Sequence, residues 1–130
     1  MIVVDASVLV SALIDDSAVG KAAHTALGRD DHWAGPEHVI TETAAAIRGS
    51  WLAGKLTQAR VAAALEFLSH AEITRIHTAA LLPRAWELRD NLTTYDACYV
   101  AAAEHLDVPL LTPDRRLSNA PGIRCALIVP

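Results

Sequence analysis

Only two cysteines and two lysines occur in the 130 residues. Cys98 and Cys125 have no zinc-ligand spacing, and neither CxxC nor HExxH occurs, so a zinc centre is excluded despite six histidines. Both cysteines read as small core residues, and a reducing, cytoplasmic location is the expectation. No GxGxxG or P-loop is present, which removes the usual nucleotide cofactors. Basic residues number 11 against 15 acids, a formal charge of −4. That balance argues against a DNA-coating or polybasic membrane-surface protein. The apolar start IVVDASVLVSALI is interrupted by Asp5, follows no basic stretch and is too short to span a membrane. Repeats, low-complexity tracts and linkers are also missing, so one domain over 1–130 is expected. What is abundant is apolar sequence, 52% of the chain. A chain of this length buries roughly two-thirds of its unfolded surface, enough for a core without staples.

Ile2-Val3-Val4 is a β-branched run and predicts a buried strand, ended by Asp5. Ser7 and the apolar Val8, Leu9, Val10 and Leu13 predict a short helix, broken at Asp15-Asp16-Ser17. Ser17 caps a second helix through Val19, Ala22, Ala23, Ala26 and Leu27, closed by Gly28. His32-Trp33-Ala34 is a short strand candidate, after which Pro36 is placed at the first position of a helix. That helix turns Val39, Ile40, Thr43, Ala46 and Ile47 inward, with Glu42 on the flank in its second turn. Thr57 caps the next helix, with Val61, Ala64, Leu65 and Leu68 inward. Residues 73–76 predict a strand, and 79–90 a helix with Pro83 in or breaking its first turn. Thr93 and Thr94 are cap types for an Ala-rich helix whose stripe is Tyr95, Cys98, Tyr99, Ala102 and Leu106. Two strands, 108–112 and 123–129, complete the chain, with a short helix between them. The alternation predicts an α/β fold, a three-layer sandwich with a parallel sheet of about five short strands flanked by helices.

In such a sheet, strands end and helices begin on one edge, where ligands bind. Asp5 and Asp114 follow strands, Asp96 lies in a helix's first turn, and Glu42 is near a helix start. All four are predicted to share that rim. Each has an ordinary explanation, as a turn, a cap or a helix-dipole partner. Together they have a cost. Two carboxylates about 4 Å apart repel by roughly 4 kcal/mol at an effective dielectric near 20. Arginine, protonation or a divalent ion must offset this. An all-oxygen ligand set selects Mg²⁺ or Mn²⁺. Such an ion polarises a phosphoryl oxygen and acidifies water, which suits phosphodiester hydrolysis.

The four acids, set in IVVDASVLV, ITETAAAIR, TTYDACYVAAAE and LLTPDRRL, resemble the PIN-domain ribonucleases. The length and order look most like the VapC-type toxins of bacterial toxin–antitoxin pairs. The resemblance implies an endoribonuclease dependent on Mg²⁺ or Mn²⁺, with Asp5, Glu42, Asp96 and Asp114 binding metal and carrying catalysis. Ser7 and Thr112 match hydroxyl positions that support the site. It also implies a homodimer, a cognate antitoxin whose tail enters the acidic groove, and cleavage of tRNA or ribosomal RNA that inhibits translation.

Arg115 and Arg116 follow Asp114 and are candidates for RNA phosphate contact, with solvated surface as the plain alternative; for Arg48 the plain reading is the better one. Trp33, Trp51 and Trp86 read as core or dimer-interface residues rather than base-stacking ones, and Tyr95 reads as core. A haloacid-dehalogenase-like phosphatase would need an acid where Ser7 stands, and a supporting lysine is hard to find. A phospho-acceptor receiver domain lacks its acid and lysine. A catalytically weak PIN-like binding module has no need for four clustered carboxylates.

Overall fold

The computed structural model describes residues 1–130. Five strands and six α-helices follow in the order β1 (Ile2–Val4), α1 (Ala6–Ile14), α2 (Ala18–Leu27), β2 (Trp33–Pro36), α3 (Val39–Leu52), α4 (Gln58–His70), β3 (Ile73–Ile76), α5 (Thr78–Glu87), α6 (Thr94–Leu106), β4 (Leu110–Leu111) and β5 (Leu127–Ile128). A 3₁₀ turn, Arg115–Asn119, lies between the last two strands. The sheet order is β3-β2-β1-β4-β5, and every pairing is parallel. From β1 the chain builds outward through β2 and β3, then returns to add β4 and β5 on the other side. The direction reverses between β1 and β4, which opens a crevice at their carboxyl ends.

Local chemistry sets most boundaries. The hydroxyls of Ser17, Thr57 and Thr93 accept from the amides of Val19, Arg60 and Asp96 and start α2, α4 and α6. Asp107 ends α6 in the left-handed conformation at φ 54°. The main core joins β1, β4, α1 and α6. Seven consecutive residues of α6, Ala97–Ala103, are buried, so this helix is enclosed rather than striped. Its four alanines let the sheet and α5 approach closely. Ile47, Ala64 and Leu68 form a satellite core between α3 and α4. A half-buried ion pair ties α5 to α6: Arg84 Nε donates to Glu104 at 2.6 Å. The same carboxylate accepts from the amide of Arg124, and Arg84 also reaches the Gly122 carbonyl.

Several expectations need correction. Pro36 is not the first residue of a helix but the last of β2, paired with Ile76. Its missing N–H falls at the strand's end, where it costs no interior rung. The helix begins at Val39, so Glu42 lies in its first turn. β4 and β5 span two residues each, not 108–112 and 123–129. Pro83 lies in the second turn of α5, and the helix runs through it. Leu65 is 42% exposed and so is not core; Trp51 at 44% and Trp86 at 68% keep only the interface half of their reading, and Trp33 is half-buried. Tyr95 is 61% exposed, because the enclosure of α6 begins only at Ala97. No helix is long and apolar enough to cross a membrane.

Candidate active site

At the crevice between β1 and β4, a cleft of about 500 Å³ is lined by Asp5, Ser7, Glu42, Asp96, Asp114 and Arg116 among others. The four sequence-predicted carboxylates therefore meet, delivered by β1, α3, α6 and the segment after β4.

Asp5 caps α1. Its Oδ1 accepts from the Ser7 amide at 2.9 Å and the Ser7 hydroxyl at 2.8 Å. Its Oδ2 accepts from the Thr112 hydroxyl at 2.8 Å. Thr112 is fully buried, and its oxygen also accepts from the Asp114 amide at 3.2 Å. One hydroxyl thus ties the segments of two acids together. Both supporting positions, Ser7 and Thr112, are where the sequence placed them.

Asp114 caps the 3₁₀ turn and is bracketed by Arg116. The guanidinium donates to Oδ1 at 2.9 Å and to Oδ2 at 2.7 Å, and the Arg116 amide adds a third bond. The Arg116 side chain holds the Asp114 carboxyl below its ordinary value and is itself raised. Arg115 is not part of this cleft. It lines a separate apolar hollow with Val8, Val19 and Val129.

Glu42 reaches the cleft from α3. Its Oε2 accepts from the Tyr99 hydroxyl at 2.8 Å and lies 3.6 Å from His38 Nε2. Burial lowers the pKa of His38, with Glu42 pulling the other way. A neutral imidazole supplies no compensating charge. Tyr99 is a functional neighbour that the sequence reading assigned only to the core. Its position three residues after Asp96, on the same helix face, was the available signal.

Asp96 is the least compensated of the four. Burial pushes its carboxyl above the ordinary value of 3.8, and the charges of Asp5 and Asp114 push the same way. The Thr93 hydroxyl and Arg116 pull it back only in part. One guanidinium is therefore set against four carboxylates, and it is engaged by Asp114. The donors are all oxygen and half-buried, and Asp96 is repelled by both Asp5 and Asp114, which fits a hard divalent cation. The tightest trio of acidic and histidine ligand atoms, within 4.8 Å of one another, is not in the cleft, whose carboxylates stand farther apart, but is Asp30, Asp31 and His32, before β2 on the opposite sheet edge. There Asp30 pairs with the amino terminus at 2.8 Å, and Asp31 lies 2.7 Å from His32 Nδ1.

The raised pKa of Asp96 has a measurable consequence. A protonated carboxyl cannot ligate, so cation affinity is full above the raised value and falls as pH drops through it. Calorimetric titration with Mn²⁺ should show weaker binding at about pH 5 than at about pH 7.5. Pairing with Arg116 acts in the opposite sense on Asp114. Its contribution to folding is present above 3.8 and is lost only as pH falls through the lower, native-state value.

Comparison with known proteins agrees with this architecture. A family model described as "PIN domain" matches residues 2–123. Ribonuclease VapC1 of Mycobacterium tuberculosis is 37% identical over 128 residues, covering 95% of this chain and 96% of its own length. Ribonuclease VapC3 of the same species is 41% identical over 119 residues, covering 92% and 86%. Among solved structures, M. tuberculosis VapC20, described as a Sarcin-Ricin loop cleaving toxin, aligns over 95% of this chain and 97% of its own, with TM-score 0.70 and 23% identity. VapBC2 from Rickettsia felis, bound to a DNA fragment from its promoter, aligns over 99% and 98% at TM-score 0.68 and 14% identity. Near-complete coverage by the family model and by relatives of this identity places the chain in the PIN-domain family, alongside the VapC ribonucleases.

Proposed function

We propose that this chain is a metal-dependent endoribonuclease that hydrolyses RNA phosphodiester bonds, and that it is the toxin of a type II toxin–antitoxin pair. The observation that carries the reading is the convergence of Asp5, Glu42, Asp96 and Asp114 on one cleft with a single, already engaged guanidinium. Asp5, Glu42, Asp96 and Asp114 would hold Mg²⁺ or Mn²⁺, which when bound polarises a phosphoryl oxygen and lowers the pKa of water. Ser7 and Thr112 hold both oxygens of the Asp5 carboxylate and would orient it toward a bound cation. Arg116 is the cationic side chain of the rim and the candidate contact for substrate phosphate. Arg115 has no such position.

The relatives named as ribonucleases support an RNA substrate, and structures such as the Rickettsia felis VapBC2 complex support a cognate antitoxin. An acidic cleft suits an antitoxin segment bearing a basic side chain. The exposed Trp51 and Trp86 suit a protein interface, including a homodimer, better than isolated solvation.

The test is direct. The purified chain should cleave RNA internally with Mg²⁺ or Mn²⁺ and stop on addition of EDTA. Cleavage that persists without metal would refute the reading. Mapping new RNA 5′ ends in cells expressing the chain would identify the cut position.

A further inference from the structure

The structure assigns Tyr99 as a positioning residue for Glu42, acting with His38 as its brace, to keep one oxygen of that carboxylate free for the cation. The assignment rests on the metal-dependent reading above and extends it to residues outside the carboxylate set.

Glu42 and Tyr99 are 57 positions apart, on α3 and α6. Within α3 the Glu42 carboxylate has only His38, one turn earlier, as a neighbour, at 3.6 Å and without a hydrogen bond. The cross-helix bond supplies the restraint. Tyr99 is 2% exposed, and its ring is enclosed in the core. Its hydroxyl donates to Glu42 Oε2 at 2.8 Å. His38 sits edge-on to Tyr99, with ring centroids 5.3 Å apart and planes at 85°. On its other side, His38 meets Tyr95 at 5.2 Å and 89°. The imidazole is thus wedged between two tyrosines and fixes the ring whose hydroxyl reaches Glu42.

The two glutamate oxygens are treated differently. Oε2 accepts a hydrogen bond from the Tyr99 hydroxyl and also faces His38 Nε2, which is buried and has no hydrogen-bond partner of its own. Oε1 is left without a protein partner. One oxygen is anchored and the other is offered, the pattern expected of a carboxylate oriented by an outer group. Tyr99 does not reach the reacting atoms. It sets the orientation of a group that does.

The experiment is a double-substitution cycle read by Mn²⁺ calorimetry on the full chain, with thermal unfolding followed in parallel. Tyr99→Phe keeps the ring and its contact with His38 and removes only the donor. It should weaken Mn²⁺ binding about 10- to 100-fold, the effect usual for loss of an outer-shell partner. It should also lower kcat more than it raises KM for RNA. In a Glu42→Ala background the same substitution should change Mn²⁺ affinity no further, because its route runs through that carboxylate. Unchanged affinity in Tyr99→Phe, or an equal loss with and without Glu42, overturns the assignment while leaving the nuclease reading intact. If the unsubstituted chain binds no Mn²⁺, the metal-dependent reading fails, and the assignment falls with it.

Discussion

Asp96→Asn should abolish RNA cleavage and at the same time raise the melting temperature of the metal-free chain. The two effects have one origin. Asp96 is partly desolvated and faces Asp5 and Asp114, so its ionised form is unfavourable in the native state. Asparagine keeps the shape and removes the charge, relieving that repulsion. The penalty it removes is full above the raised pKa and fades as pH falls from there toward 3.8, so the gain in stability should shrink over that range. For activity the sign reverses. A ligand oxygen with full negative charge becomes a neutral amide, and several kcal/mol of charge stabilisation at the phosphoryl group depends on the cation it holds. At 1.36 kcal/mol per tenfold, the rate should fall by on the order of a thousandfold or more. Cleavage assays with Mn²⁺ and melting curves without it check both. Activity near that of the unsubstituted chain would remove Asp96 from the site.

Gly20→Ala should be the most damaging single-methyl change to stability. Helix propensity alone forecasts the opposite, a gain of about 1 kcal/mol. The packing decides against it. A Cβ at position 20 would stand 1.6 Å from the carbonyl oxygen of Asp15 and 2.8 Å from that of Ser11. Both are backbone atoms and cannot rotate away. α2 would have to withdraw from α1, pulling Ala23, Ala26 and Leu27 out of the main core. The cost should exceed about 3 kcal/mol, the upper end of ordinary overpacking. Against a total stability of about 5–15 kcal/mol, that is a large fraction. At about 4 °C per kcal/mol, the melting temperature should fall by about 12 °C or more. An unchanged or raised melting temperature would show that the α1–α2 contact is looser than described.

The reading from sequence succeeded where the signal was short in range. Ser17, Thr57 and Thr93 cap the helices they were expected to cap, because each cap is a bond spanning two or three residues. The common rim of the four acids was legible because parallel topology ties strand ends to helix starts. Failure came where tertiary context decides. Gly35-Pro36 has the local chemistry of a helix start, yet pairing with β3 extends β2 through it. The runs at 108–112 and 123–129 look like longer strands, but only two residues of each find a partner in register. Tyr95 fits the apolar spacing of α6, but it lies two residues before the enclosed part of the helix. The Arg116 grip on Asp114 was within reach, being local; the Tyr99 bond to Glu42, across 57 positions, was not.

The bonds around Glu104 bear on how this chain should be handled at the bench. By holding the Arg124 amide, that carboxylate fastens the final segment, and β5 in turn supplies the Ile128 carbonyl to the Thr112 amide at 3.0 Å. Thr112 is the residue whose hydroxyl steadies Asp5. The last few residues are therefore mechanically connected to the reaction pocket. Trimming the chain back past Ile128 should therefore loosen the pocket without touching any residue in it.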